Sequence, residues 1–247
     1  MARSDARSFA HAIRRRAGNF ARAVDGDGVR RRHTARAAPR IRTHAARQAP
    51  AQPPGKSFAY SNTGYGLLGA IIEHAADQSY EDLLRAHIFK PLALASAGFG
   101  PPAAKGQVNQ PWGHYRDGDS IVATPPAPEN EFPPALAPAA SVHLSLADFA
   151  RYATWLGTNE PRLVSAETFH HLQTPPGDSA YACGQWKTEV PGIGPVLAHT
   201  GNMGGFFGVF YTAPRRAVVV VFNVNGIAWE WLGDQIAAVA VKAAFAQ

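Results

Sequence analysis

Residues 184–224 are patterned as a run of short strands, and this stretch restricts the fold of the chain more than any other. Four segments rich in apolar and β-branched residues follow one another and are joined by turns that contain Pro or Gly: 184–190, 196–200, 206–212 and 217–224. The apolar run 218–222 has no polar interruption, which is typical of a central strand covered on both faces.

Helical patterns precede these strands. A stripe of apolar residues at helical spacing predicts a helix over 64–75: Leu67, Leu68, Ile71, Ile72 and Ala75. Ser79, Ser145 and Ser165 are typical N-caps, and they predict three further helices. Between the second and third of the four helices, a hairpin is predicted around Asp117 and Gly118.

A last apolar helix is predicted over 227–245, where it would cover the sheet. Helices first, antiparallel strands next and a covering helix last describe an α+β protein. We therefore predict one domain over 53–247, with a mainly helical and loop part at 53–175 and a sheet with its C-terminal helix at 176–247. Cys183, the one cysteine, starts a strand in this scheme and is expected to be a small buried apolar residue.

The segment 1–52 differs in composition from the rest of the chain. Its first 50 residues hold 13 Arg and three acids, a charge of +10, which leaves −4 for the remainder of a chain whose total is +6. They contain no Leu, so they can bury little apolar surface to offset the entropy lost on ordering. The composition predicts a disordered Arg/Ala-rich arm outside the fold.

Other roles for this arm follow from its charge. Runs such as 14–16 and 30–32 are all Arg and attract phosphate, so a non-catalytic protein that contacts nucleic acid or an anionic surface through the arm is the alternative function. Few aromatic residues interleave with these Arg residues, which makes nucleic acid an unfavoured partner. No signal peptide and no membrane span is predicted, and the oligomeric state stays open.

Two polar clusters stand next to strong structural signals. Tyr60, Ser61 and Asn62 precede the helix at 64–75, and the run 199–202 (His-Thr-Gly-Asn) lies on a strand before a glycine turn. A tyrosine can shuttle protons if a neighbouring cation lowers its pKa, and an asparagine can hold a substrate amide. No metal-binding pattern, nucleotide-binding glycine pattern or nucleophile elbow is found, so no metal and no cofactor is expected.

Longer stretches around these clusters resemble the serine β-lactamase-related family, which includes class C β-lactamases, penicillin-binding DD-peptidases and related esterases. PPGKSFAYSNTGYGLLGAIIE (53–73) is similar to the region of the family's second motif, and VLAHTGNMGGFF (196–207) to that of its third. SYEDLLRAHIFKPLA (79–93) and PAASVHLSLADFARY (138–152) follow the family pattern in the expected order. The resemblance covers about 53–245 and implies a β-lactamase/transpeptidase-like fold.

The resemblance also implies roles for individual residues. Tyr60 would transfer protons to and from the nucleophile and leaving group, and Asn62 would contact the substrate amide. His199, Thr200 and Gly201 match the Lys-Thr-Gly motif, with His as in esterase-like members, and the backbone N–H of Asn202 would be an oxyanion donor. Ser61, Thr200 and Gly201 would line the substrate, which is a small-molecule or peptide ester, amide or β-lactam.

One part of the family pattern is missing. None of the serines is followed three positions later by Lys, so the chain has no Ser-x-x-Lys motif, which carries the family's nucleophile. We therefore expect a truncated or frameshifted serine hydrolase that enters the family pattern near residue 53, is catalytically impaired, and leaves the apolar face of the helix at 64–75 exposed. An active hydrolase that uses another nucleophile, of which Ser61 is the nearest, is a further reading.

Overall fold

The computed structural model of the chain describes residues 53, 55–104, 106, 107, 109–126, 133–190, 194–213 and 218–225, with Val239 and Ala243 beyond them. The helices are α1 Asn62–Ala76, α2 Tyr80–Leu84, α3 Ala137–Ala140, α4 Leu146–Thr158 and α5 Ala166–Gln173. The strands are β1 Gly98–Phe99, β2 Gly113–Asp117, β3 Ser120–Thr124, β4 Val142–His143, β5 Tyr181–Ala182, β6 Gln185–Val190, β7 Gly194–Met203, β8 Phe206–Ala213 and β9 Val218–Asn225.

Helix α1 confirms the helix predicted at 64–75, but it packs through its glycines. Gly66 and Gly69 are buried: a side chain at Gly66 would overlap Ala135, just before α3, and one at Gly69 would overlap Pro138 in α3. The apolar stripe lies largely in solvent: Leu68, Ile71 and Ile72 are 48%, 64% and 44% exposed. The described part of the chain therefore leaves this stripe uncovered, as the sequence predicts.

The three serine caps are also confirmed. The hydroxyl oxygens of Ser79, Ser145 and Ser165 accept hydrogen bonds from the backbone N–H groups three residues later, at the starts of α2, α4 and α5. After α2 the chain continues as a π-helical turn, Arg85–Phe89, which ends before Pro91. The main core forms where these helices meet the sheet: Phe89, Leu92, Leu94, Ala153, Trp155, Leu156 and Phe210.

A buried carboxylate joins the start of α4 to the loop after the π-helical turn. Asp148 is 3% exposed, and it accepts hydrogen bonds from the Ser96 N–H at 2.8 Å, the Ser96 hydroxyl at 2.6 Å and Arg151 at 2.6 Å. These bonds hold the pKa of the Asp148 carboxyl below its ordinary value. A carboxylate satisfied in this way is stabilised in the charged form despite its burial.

The main sheet is antiparallel with the order β5-β6-β7-β8-β9, and α4 packs against β8 and β9. It contains the four predicted strands and a short fifth, β5, that the sequence analysis missed. The strand that contains 218–222, predicted to be central, is the last strand of this sheet within the described ranges. Cys183 was predicted to be buried, and this is wrong: it is exposed because it lies in the turn between β5 and β6.

The predicted hairpin is confirmed as β2 and β3, with Asp117 opposite Ser120 and Gly118 at a positive φ of 59°. It docks on the turn between β7 and β8, where the N–H of His114 donates a hydrogen bond to the Gly205 carbonyl oxygen at 3.4 Å. The two backbones approach so closely that a side chain at Gly113 would overlap the Gly204 carbonyl.

Several predictions concern residues outside those that the structure describes. The arm at 1–52, and with it the alternative function in nucleic-acid or anionic-surface binding, lies there entirely. Of the helix predicted at 227–245 only Val239 and Ala243 are described, and both are helical and exposed. In the residues that are described, no helix has the length and apolar character that a membrane crossing requires.

Candidate active site

The start of α1 positions the first predicted cluster. Ser61 is extended, with φ −150° and ψ 109°, and its hydroxyl oxygen accepts a hydrogen bond from the Gly64 N–H at 2.9 Å. Ser61 is therefore the N-cap of α1, and Asn62 is the first helical residue and half-buried. Tyr60 lies immediately before the cap, where the chain is not yet helical.

Strand β7 positions the second cluster, residues 199–202. These residues lie in the part of β7 that no longer pairs with β6. The β6–β7 ladder ends with Trp186 opposite Ala198, whereas β8 continues to pair with β7 from His199 opposite Phe210 to Met203 opposite Phe206. Among the described residues, 199–203 therefore pair on one edge only. A side chain at Gly201 would meet no atom within 4 Å, so this part of the strand borders open space.

The fold brings the two clusters together. The rings of Tyr60 and His199 have centroids 6.2 Å apart, with planes inclined by 31°. Ser61 and Asn62 on one side, and Thr200, Gly201 and Asn202 on the other, are placed beside this pair by their positions in the chain. Their individual contacts with a substrate remain predictions.

An aromatic cluster that the sequence analysis missed lies beside this pair. It consists of Phe58, Tyr60, Tyr181 and Trp186, and we call it the aromatic cluster. Tyr181 and Trp186 pack at 4.6 Å between centroids, Phe58 lies 5.1 Å from Tyr181 and 5.5 Å from Trp186, and Tyr60 lies 5.6 Å and 6.4 Å from the same two rings. Tyr181 and Trp186 stand opposite each other in the β5–β6 ladder, which no motif predicted.

Tyr181 also contacts the predicted catalytic histidine. Its hydroxyl oxygen lies 3.2 Å from Nε2 of His199, and the two rings are T-shaped at 5.9 Å. Burial raises the pKa of Tyr181, and burial lowers the pKa of His199 although a backbone hydrogen bond at Thr200 partly opposes it. Both groups are therefore uncharged at neutral pH, and the direction of their hydrogen bond depends on the tautomer of His199.

The protonation of Tyr60 differs from what proton abstraction requires. Burial raises the pKa of Tyr60, and the neighbouring Tyr65 raises it further. Proton shuttling by Tyr60 requires a cation that lowers this pKa, and the shift is in the opposite direction. Tyr60 is therefore a hydrogen-bond donor at neutral pH.

The described residues contain no group of three or more His, Cys, Asp or Glu side chains arranged to hold a metal ion. The adjacent His170 and His171 lie exposed on α5.

Comparison with known proteins gives consistent results. A family model described as Beta-lactamase matches residues 10–244. Penicillin-binding protein 4 of Amycolatopsis lactamdurans is 28% identical over 194 residues, which are 70% of this chain and 49% of that protein. The crystal structure of SurE matches with a TM-score of 0.68 at 24% identity over 83% of this chain and 49% of SurE. A D-stereospecific amidohydrolase from Streptomyces sp. matches with a TM-score of 0.63 at 19% identity over 80% of this chain and 57% of its own.

These likenesses confirm the α+β, β-lactamase/transpeptidase-like fold. The chain spans about half the length of the relatives described above. The family match begins at residue 10, within the Arg/Ala-rich segment, so it includes residues that the sequence analysis places outside the domain. The domain boundary at 53 stays a prediction. Because the match extends over most of the sequence, the chain belongs to the beta-lactamase family.

Proposed function

We propose that this chain carries the substrate-binding side of a serine hydrolase site for an ester, amide or β-lactam, and that it does not form an acyl-enzyme. The observation that supports this most directly is that Tyr60 and His199 converge at 6.2 Å while no serine of the chain belongs to a Ser-x-x-Lys motif. Acylation in this family needs an activated serine, and neither Tyr60 nor His199 can replace it as an acyl acceptor of that kind.

The protonation of the site supports the same proposal. A nucleophilic hydroxyl must lose its proton to a base as it attacks, and burial raises the pKa of Tyr60 instead of lowering it. A protonated Tyr60 can still donate a hydrogen bond to a bound carbonyl or leaving group. Binding without covalent catalysis is therefore the activity that these side chains favour.

Ser61 is the main competitor as a nucleophile, because it stands between Tyr60 and Asn62. Its hydroxyl oxygen accepts the hydrogen bond that caps α1, so a reaction at this atom would remove the cap. The amidohydrolase and penicillin-binding relatives make amides and β-lactams the natural compounds with which to test the site.

Covalent labelling tests the proposal. We expect no adduct when the full chain is incubated with a fluorescent penicillin or a fluorophosphonate and then analysed by denaturing electrophoresis and intact-mass spectrometry. A stoichiometric adduct on the folded protein would refute the proposal. Ser61→Ala then identifies the residue, with Ser79→Ala as the matched control, because both serines cap a helix by the same hydrogen bond.

The truncation proposal has a test of its own. We infer from the composition of residues 1–50 that the coding frame enters the family pattern near residue 53. The genomic DNA upstream of that codon, translated in all three frames, should then encode a Ser-x-x-Lys motif in another frame. Unrelated sequence in all frames would contradict the frameshift and leave the labelling result unaffected.

A further inference from the structure

We propose that the aromatic cluster is a binding site for the aryl side chain of an uncharged amide or ester, whose polar part lies against His199. The inference rests on the proposed function, because it takes the Tyr60–His199 pair as the place where the acyl group is held. It adds the chemical class of the ligand, which neither the motifs nor the family match specifies.

The four rings differ in exposure to solvent, and this difference is the main support for an aryl-binding site. Tyr181 is 6% exposed and Trp186 is half-buried, whereas Phe58 and Tyr60 are 43% and 36% exposed. The inner rings form a rigid support in the β5–β6 hairpin, and the outer rings rest on it with one side open to solvent. Covering the open side with an apolar group would remove a contiguous apolar surface from water.

The rings are already ordered before a ligand arrives. Phe58 and Tyr60 each contact both inner rings, at centroid distances between 5.1 and 6.4 Å. Tilted, stacked and edge-to-face contacts of this kind stabilise aromatic pairs, and a further ring can join them in a similar geometry. Because the binding surface is fixed from behind, a ligand loses little free energy in ordering it.

The cluster continues directly into the predicted catalytic pair, which favours a substrate side chain over a separate ligand. Tyr60 belongs to both groups, and Tyr181 links them through its hydrogen bond to Nε2 of His199. The protonated hydroxyl of Tyr60 is the kind of donor that suits a carbonyl oxygen.

The charge state of the pair favours an uncharged ligand. Burial disfavours the charged form of both Tyr60 and His199, so their pKa values move away from neutrality in opposite directions. An uncharged imidazole offers a carboxylate no cation, and a buried carboxylate without a cation is costly. An amide or ester avoids this cost.

Binding of three small probes to the full chain tests the proposal, by isothermal titration or ligand-observed NMR at pH 7.5. The probes are N-acetylphenylalaninamide, N-acetylalaninamide and N-acetylphenylalanine with its free carboxylate, each as both enantiomers. We expect at least one enantiomer of the phenylalaninamide to bind about tenfold more tightly than the other two compounds. Equal affinity for phenylalaninamide and alaninamide would overturn the aryl site, and tighter binding of the free acid would overturn its preference for uncharged ligands.

Variants locate the binding. Phe58→Ala should abolish the preference for phenylalaninamide, and Phe58→Leu should retain part of it. Ile72→Ala should leave it unchanged, because it removes an apolar side chain on α1 that is 44% exposed, against 43% for Phe58. A preference that survives in a folded Phe58→Ala would refute the assignment. Covalent labelling distinguishes failure of the aryl site from failure of the proposed function. An adduct on the unmodified chain would refute the proposal that no acyl-enzyme forms, but it would leave the measured preference for phenylalaninamide as it is.

Discussion

His199 combines two roles that its position on β7 imposes together. Beyond the end of the β6–β7 ladder it faces the Tyr60 ring, and its imidazole shares a hydrogen bond with the Tyr181 hydroxyl. The motif that this residue matches has Lys at this position, whereas this chain has His, and burial lowers the pKa of its imidazole further. The difference in charge therefore follows from the residue type and is strengthened by its surroundings.

The lowered pKa of His199 predicts a pH-dependent loss of stability. Because the folded state disfavours the charged imidazole, the unfolded chain binds the proton first as the pH falls below about 6.5. The contribution is fully present above that pH and is lost as the pH falls towards the folded-state pKa. Urea unfolding at pH 7.5 and 5.5 should therefore show a smaller decrease in unfolding free energy for His199→Gln than for the unmodified chain.

The measurement at pH 7.5 is the control for the urea experiment. At that pH the imidazole is uncharged, so the difference between His199→Gln and the unmodified chain gives the change in unfolding free energy that the replacement itself causes. NMR titration of the ring, assigned by its absence from the spectrum of the variant, measures the pKa directly. A folded-state pKa at or above about 6.5 would contradict the prediction.

At the level of secondary-structure elements, α1 packs against its neighbours through positions that have no side chain. Its buried positions are glycines, and the segment Pro134–Ala140 occupies the space that larger side chains would need. The apolar residues that the periodicity assigns to a buried face are the exposed ones. Close backbone packing thus replaces side-chain packing as the contact that positions Tyr60 and Asn62.

Two glycine substitutions on the same helix test this contact. Gly69→Ala would place a Cβ atom against Pro138 and should lower the unfolding free energy by about 1–3 kcal/mol, even though alanine is the better helix former. Gly64→Ala is the matched control: its Cβ would lie 3.4 Å from Ser61, an ordinary contact, so this variant should be as stable as the parent or more stable. Urea denaturation measures both, and equal stabilities would show that α1 does not pack closely here.

The elements that could be predicted from sequence are those with local signals. Ser79, Ser145 and Ser165 reveal helix starts because a capping hydrogen bond joins residues only three positions apart. The hairpin at Gly118 has a similarly local cause. The two-residue strands β1 and β4 carry no such signal, because they pair with each other across a long stretch of chain. Strand β5 and the π-helical turn are too short to show a pattern of apolar residues.

The same distinction applies to the site. Tyr60 and His199 could be predicted because each lies in a motif with a family likeness. Tyr181 and Trp186 could not, because their contacts join separate parts of the chain and no spacing encodes them. The direction of the pKa shift of Tyr60 was equally inaccessible, since it depends on burial that only the folded chain defines.

For the whole molecule, the exposed stripe on α1 has consequences for solution behaviour. Leu68, Ile71 and Ile72 present adjacent apolar side chains to solvent on one face of a helix. Such a surface favours association, because contact between two copies removes apolar area from water.

Sedimentation velocity over a range of concentrations tests this. We expect the unmodified chain to show an increase in average mass with concentration, and Leu68→Gln/Ile71→Glu to shift it towards the monomer by about tenfold in dissociation constant. Leu146→Glu is the control, because Leu146 is 49% exposed on α4, outside the stripe. A chain that remains monomeric at every concentration would refute the role of the stripe.

The exposed turn between β5 and β6 gives the protein a built-in attachment point for spectroscopic probes. Cys183 is the one thiol among the 247 residues, and it lies two positions from Tyr181 and three from Trp186. A maleimide fluorophore or nitroxide would therefore attach at a single position next to the rings, with no cysteine to add or remove. Ligand contact with the cluster could then be followed by fluorescence or paramagnetic relaxation in a chain with its natural sequence.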